Sequence, residues 1–593
     1  MRNFILTILL IFSINIVAQE LLPPVQLWNG KSQQFMLAQD HKLATPFEKS
    51  AGLRSASEEE LDVWINSMKS NPNFFYYESG ASPQGRPIRV IKVSSDLDFR
   101  SGKVKSSKPV ILIQAGIHAG EIDGLDAGMM IVRDLCTGKL RPYLEKVNVV
   151  FIPVINPDGH ARLSPNNRIN QRGPSEMGWR SNSLNQNLNR DYTKLDTPEL
   201  RGLMAVINEI NPDLYFDIHV TDGADYQYDI TYGFMAEHAY SPNISKWLKG
   251  NFNPKINNDL QELGHIPGYL IFAKNGEDFK DGNADYSFSP RFSHSWGDAH
   301  HTPSILVENH SLKPFKQRVL GTYVLLASTI KLMSEKGLDL REEQIKDSKL
   351  RHNPIVINWK FPESTKDSMI FLGINHTEAI SELTGVSYTK WLGTNKNEKI
   401  PVWTSNVIDK TIDRKKEFIV PVQYSDIIER IKLQGINYSV LEKPDTLQVL
   451  MYKLSDVEIQ GKMPFQGRMR MSGRTELISK KEVFPKGSIK ISTDQELGTL
   501  ACLLLEPDAT DSYFQWGFFA GIAERTEYFE NYAMVPLSER MANSDVKFRE
   551  EYIARIKSDE KFAKDENAKL RWWYERSEYA DARFLLYPIG MIK

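Results

Sequence analysis

Residues 111–124 read ILIQAGIHAGEIDG. An apolar, strand-like run ends in small residues and then presents His118 and Glu121, three positions apart. Residues at that spacing on a helical turn face the same way. An imidazole and a carboxylate presented together suit a borderline divalent metal, above all zinc. Such a pair arises often by chance, so its meaning rests on what surrounds it.

Around this stretch, short apolar runs alternate with helical patterns. FFYYESG, RPIRVIKVSS, PVILIQAG, NVVFIPVI, PDLYFDIHV and PSILVEN read as strands. SEEELDVWINSMKS, GLDAGMMIVRDLC and TPELRGLMAVINEI read as helices, the first with acids in its first turn and the last with Pro near its start. Buried strands alternating with helices predict an α/β protein with a largely parallel sheet covered on both faces. Sites in such sheets form at the carboxyl ends of strands. His118, Asp158, His219 and Glu308 all fall there.

Three ligands and an open position make a hydrolytic zinc site. His219, ending PDLYFDIHV, is the best third ligand; His294, His300, His301 and His310 are its rivals, and a hydrogen-bonded core histidine is the structural alternative. Glu308, ending PSILVEN, is placed to take a proton from water and pass it to a leaving amine. In NQNLNRDY, Asn189 and Arg190 can grip a carboxylate. Arg172 and Arg180, in NQRGPSEMGWRSNS, can each reach a substrate carbonyl.

As a set, these features resemble the M14 zinc carboxypeptidases over about residues 55–335. The order HxxE, Asn-Arg, strand-end His, strand-end Glu is the family's, and INPDG and NLNRDY are similar to its local sequences. The resemblance implies an α/β/α sandwich with a mixed sheet, one zinc, and removal of residues from peptide C-termini. It implies zinc on His118, Glu121 and His219, Glu308 as general base, and Asn189 and Arg190 on the terminal carboxylate. It further implies an oxyanion stabiliser, Arg180 ahead of Arg172, and a mobile tyrosine, for which Tyr286 lies at about the right distance. The segments HVTDGADYQYD and ENHSLKP look most like a bacterial subgroup. No acid is clearly placed to demand a basic side chain; Asp298 is the nearest candidate, and the preference at the cleaved residue stays open. A zinc deacylase acting on N-acyl amino acids or cell-wall peptides, and an exported binding protein without turnover, are the alternative functions.

The start, MRNFILTILLIFSINIVAQ, has the charge, apolar run and small-residue end of a secretory signal over residues 1–19. Export to the periplasm or medium is therefore expected, with no membrane span in the mature chain. Charge is balanced, at 73 Lys+Arg against 75 Asp+Glu, which argues against a nucleic-acid partner. The two cysteines, Cys136 and Cys502, cannot build a metal site, and Cys136 reads as a buried thiol. Residues 20–345 are expected to be the catalytic domain, with KDSKLRHNP as a linker. Residues 346–593 are expected to be a separate accessory region, β-rich and then helical, contributing no ligand and no acid–base group.

Overall fold

The run preceding His118 is a central strand. The computed structural model describes residues 21–102, 106–276 and 278–593; the signal-like stretch 1–19 lies outside them. The strands in chain order are β1 (Phe74–Ala81), β2 (Pro87–Val93), β3 (Val110–Ala115), β4 (Asn148–Ile152), β5 (Leu214–Val220), β6 (Ile230–Gly233), β7 (Pro267–Tyr269), β8 (Ala273–Asn275), β9 (Asp278–Asp285) and β10 (Ser304–Asn309). Eight of them form one sheet in the order β1-β2-β4-β3-β5-β10-β6-β7. The four central strands, β4-β3-β5-β10, are mutually parallel, while β1/β2, β2/β4 and β10/β6 are antiparallel. The mixed, mostly parallel α/β sheet is the expected one.

Alternation along β3 builds two cores. Ile111 and Ile113 face one side, with the helices Asp123–Thr137 and Phe315–Ser348. Val110 and Leu112 face the other, with the helix Pro198–Ile210. That helix does not cover the second face alone. The second core continues into Phe418, Ile427 and Leu500–Leu505 of the C-terminal half, where all eight residues of the helix Gly498–Leu505 are buried.

The C-terminal half is therefore packed into the α/β body, not set apart from it. Its strands are β11 (Ile355–Lys360), β12 (Ser368–Ile380), β13 (Ser387–Thr404), β14 (Val407–Ile412), β15 (Glu417–Val420), β16 (Ser439–Val440), β17 (Asp445–Phe465), β18 (Arg468–Phe484), β19 (Ile489–Ser492) and β20 (Gly590–Ile592). Strand β13 pairs with β9, joining the halves by a ladder. Trp296 donates to Gln434 at 2.8 Å, and Gln434 donates to the Tyr192 carbonyl at 2.7 Å. The expected linker is partly helical, since the helix Phe315–Ser348 runs through residue 345. The C-terminal strands read as short pieces in sequence, yet β12/β13 and β17/β18 are long hairpins. A charged helical tail follows from residue 531. No helix among the described residues is long and apolar enough to cross a membrane. Cys136 and Cys502 are free and buried, and burial pushes both thiols up to about 12.

Candidate metal centre

His118 and Glu121 lie in a tight turn after β3, not within a helix. The turn is closed by the Glu121 N–H donating to the His118 carbonyl at 2.8 Å, and the helix begins at Asp123. Gly116 opens this turn at φ 66, a conformation natural to glycine. Gly120 allows a close approach, since a Cβ there would stand 2.7 Å from the Gly178 carbonyl and 2.9 Å from Arg168 Cγ.

His219 is the last residue but one of β5. Across the parallel ladder it pairs with Glu308, the last residue but one of β10. The fold thus brings His118, Glu121 and His219 together, with one donor atom each lying within 4.8 Å of the others. They are the one such group of side chains among the described residues that could hold a metal ion, and all three are buried. Glu121 lies 3.1 Å from Nδ1 of each imidazole. The opposite nitrogens are held from behind: His118 Nε2 by Asn187 Oδ1 at 2.9 Å, and His219 Nε2 by Asp217 Oδ2 at 2.8 Å. Acceptors on Nε2 keep a proton there, so that each imidazole in its neutral form turns the Nδ1 lone pair toward the site.

Two observations fit this set to zinc. His118 Nδ1 is buried with no hydrogen-bond partner. Donors are two imidazole nitrogens and a carboxylate, a familiar hydrolytic combination. Burial opposes the charge on Glu121, but His118 and Arg168 hold its carboxyl well below the usual range. His219 is buried too, yet Asp217 keeps its imidazole well above the ordinary value. Metal binding at His219 would therefore displace a proton.

Burial pushes Glu308 up to about 8, against the pull of His219 and reinforced by Glu121 and Asp222. A bound dication would bring it down again. Arg180 donates to Glu121 Oε1 at 2.9 Å. Arg172 is turned elsewhere, donating to the carbonyls of Leu312 and Pro23, so it is not brought to the cluster. Asn189 approaches His219 Nε2 at 3.4 Å and accepts from the Ser293 N–H at 3.3 Å. Arg190 stacks on Phe292, 4.3 Å from the ring centre, and donates to the Asn189 carbonyl. It makes no ion pair with the described residues. Desolvation, with Arg291 and Arg180 nearby, lowers it to about 10. Tyr286 is 40% exposed and sits among Phe272, Phe288 and Phe361.

The rival histidines are occupied in other ways. His300 bonds Thr302, His301 bonds Ser241 and His310 bonds Asp225. His294 is buried beside Phe288. Asp298 is buried and accepts from the Tyr240 and Ser241 N–H groups.

Sequence reasoning passed over Asp217, Asn187, Arg168 and Gln466. Asp217 was legible, since two residues along a strand share a face. Arg168 lies 3.0 Å from Glu121 Oε1 with its side chain 9% exposed. Gln466, at the tip of the β17/β18 hairpin, accepts from the Asn187 N–H at 2.8 Å. Nothing local marks a residue so far along the chain as a neighbour of the site.

Residues 61–266 match the family Peptidase_M14, zinc carboxypeptidase. Carboxypeptidase B of Astacus astacus is 30% identical over 20% of this chain and 38% of its own length, so the match spans well under half of that relative. An inactive metallocarboxypeptidase, ecm14 of Schizosaccharomyces pombe, is 24% identical over 35% of this chain and 44% of its own. A crystal structure of a metallo-carboxypeptidase from Burkholderia cenocepacia aligns at a TM-score of 0.35 and 16% identity, covering 47% of this chain and 69% of that one. Over residues 61–266, then, the chain is similar to the zinc carboxypeptidase family.

Proposed function

We propose that this chain, with its zinc carboxypeptidase domain, is an exported hydrolase that removes residues from the free C-termini of peptides. The observation that carries the reading is the buried His118–Glu121–His219 donor set, beside Glu308 on the neighbouring strand and close to an Arg190 without an anionic partner. Zinc held there would supply Lewis acidity toward water and the scissile carbonyl. Asn187 and Asp217 orient the two imidazoles. Arg190, with Asn189, binds the terminal carboxylate, and this places the last peptide bond, not an internal one, at the site. Glu308, which a bound dication would keep ionised, takes the proton of the attacking water and returns it to the leaving amine. Arg180 is exposed enough to leave Glu121 and donate to the oxygen on which negative charge develops. Tyr286, partly exposed, is the tyrosine that would close over the substrate. Residues 1–19 supply the export signal.

The test is cleavage of one peptide with a free and with an amidated C-terminus by the zinc-loaded protein. Loss of a charged hydrogen-bond partner lowers kcat/KM about ten- to a hundredfold. Equal cleavage of both would point to an endopeptidase or deacylase. Absence of zinc and of all turnover would leave a binding protein.

A further inference from the structure

The cations around Arg190 outnumber what a terminal carboxylate needs. Phe292 carries Arg190 on its ring at 4.3 Å and is flanked by Arg291, whose guanidinium lies 5.1 Å from the same ring centre. The next residue, Ser293, donates its N–H to Asn189 Oδ1, so this segment abuts the proposed carboxylate grip. Arg291 is partly exposed and reaches a single acid, Asp511, at 3.4 Å. That acid is shared with Arg470 at 3.3 Å. Arg291 Nε is buried and has no hydrogen-bond partner.

The charge count follows. Three guanidiniums, Arg190, Arg291 and Arg470, are balanced by the one carboxylate of Asp511. A substrate's terminal carboxylate answers Arg190. One positive charge remains, on a side chain with an unused buried donor. An apolar substrate side chain against Arg291 would leave that donor unsatisfied, and a basic one would be repelled. A second carboxylate, a short side chain away from the first, meets both demands.

Resting on the carboxypeptidase reading above, we infer that the cleaved residue is acidic, and that Arg291 selects peptides ending in Glu or Asp. Asp511 positions Arg291, which gives the C-terminal half a part in specificity although it supplies no metal ligand.

The experiment uses the full zinc-loaded chain and blocked tripeptides differing only in a last residue of Glu, Asp, Leu or Lys. We expect kcat/KM for the Glu and Asp peptides to exceed that for Leu by at least ~10-fold, and Lys to be the poorest. Arg291→Met should bring the Glu/Leu ratio toward one, and Arg291→Lys should keep most of it. Preference for Leu or Lys in the unaltered protein overturns the inference while leaving the carboxypeptidase reading intact, and this result needs no variant to fold. Loss of all four activities in equal measure in Arg291→Met also overturns it, since Arg291 would then serve the common carboxylate. No turnover of any of the four by unaltered, zinc-loaded protein refutes the underlying reading itself.

Discussion

Replacing Asp217 by Asn removes one charge and almost no volume from behind His219. Asp217 accepts from His219 Nε2 at 2.8 Å and from Gln114 Nε2 at 2.9 Å. An amide offers one oxygen for these two donors. If the oxygen stays on Gln114, the amide NH2 faces Nε2 and drives the imidazole proton onto Nδ1, the atom needed for metal. If the oxygen turns to His219, Gln114 must turn as well and loses its contact to Tyr192. Its own Oε1 is buried without a partner, so that flip is open to it. Either way the imidazole is a poorer ligand, and zinc affinity should fall about 10–100-fold, equivalent to roughly 1.4–2.8 kcal/mol. Asp217 also holds the metal-free His219 in its protonated form. The variant loses that competition from the proton, so the deficit should be largest at alkaline pH and shrink as pH falls. Chelator competition across pH reads the affinity, and thermal unfolding of the metal-free proteins separates it from a folding defect. Equal zinc affinity at alkaline pH, with unchanged metal-free stability, would refute this account of the Asp217–His219 bond.

Glu308→Gln should lower peptide turnover by at least ~100-fold with zinc retained; loss of zinc measured by elemental analysis would assign Glu308 a different role. A chain ended near Lys346 should fail to yield soluble, zinc-binding protein. It strips the cover from the second core, at roughly 1.5–3 kcal/mol for each aliphatic or aromatic side chain exposed, and a soluble zinc-loaded product would show that cover to be dispensable. His160 is buried and its imidazole is lowered to about 4, by burial and against its bond to the Ala56 carbonyl. Its folded value lies below the ordinary 6.5, so its contribution is full above pH 6.5 and is lost as pH falls toward 4, by roughly 3 kcal/mol. Denaturant titrations of His160→Gln should show a flatter decline over that window, and an unchanged slope would contradict the assignment.

The alternation of apolar runs and helical patterns was enough to read the central sheet, because each strand and helix carries its own periodicity. His118, Glu121, His219 and Glu308 could be singled out for a related reason. Each stands at the end of a strand, and parallel strands side by side bring their ends together. The bonds that orient the imidazoles divide by distance along the chain. Asp217 lies two residues from His219 and was readable from the strand repeat, whereas Asn187 meets His118 only through the tertiary fold. The C-terminal half shows the other limit. Its long hairpins looked like fragments, because partly exposed polar strands have no continuous apolar signal. Its fusion with the α/β body could not be read either, since the demand for cover belongs to the second face of the sheet, which exists only once the sheet is assembled.

By itself, then, the order of residues determined the central strands and helices and singled out the candidate donors, because these depend on neighbours in sequence. Tertiary structure alone decided that Arg180 reaches Glu121 while Arg172 does not, and that Arg291 meets Asp511. Those outcomes depend on which surfaces of distant segments are pressed together, and no local pattern of charge or hydropathy encodes that.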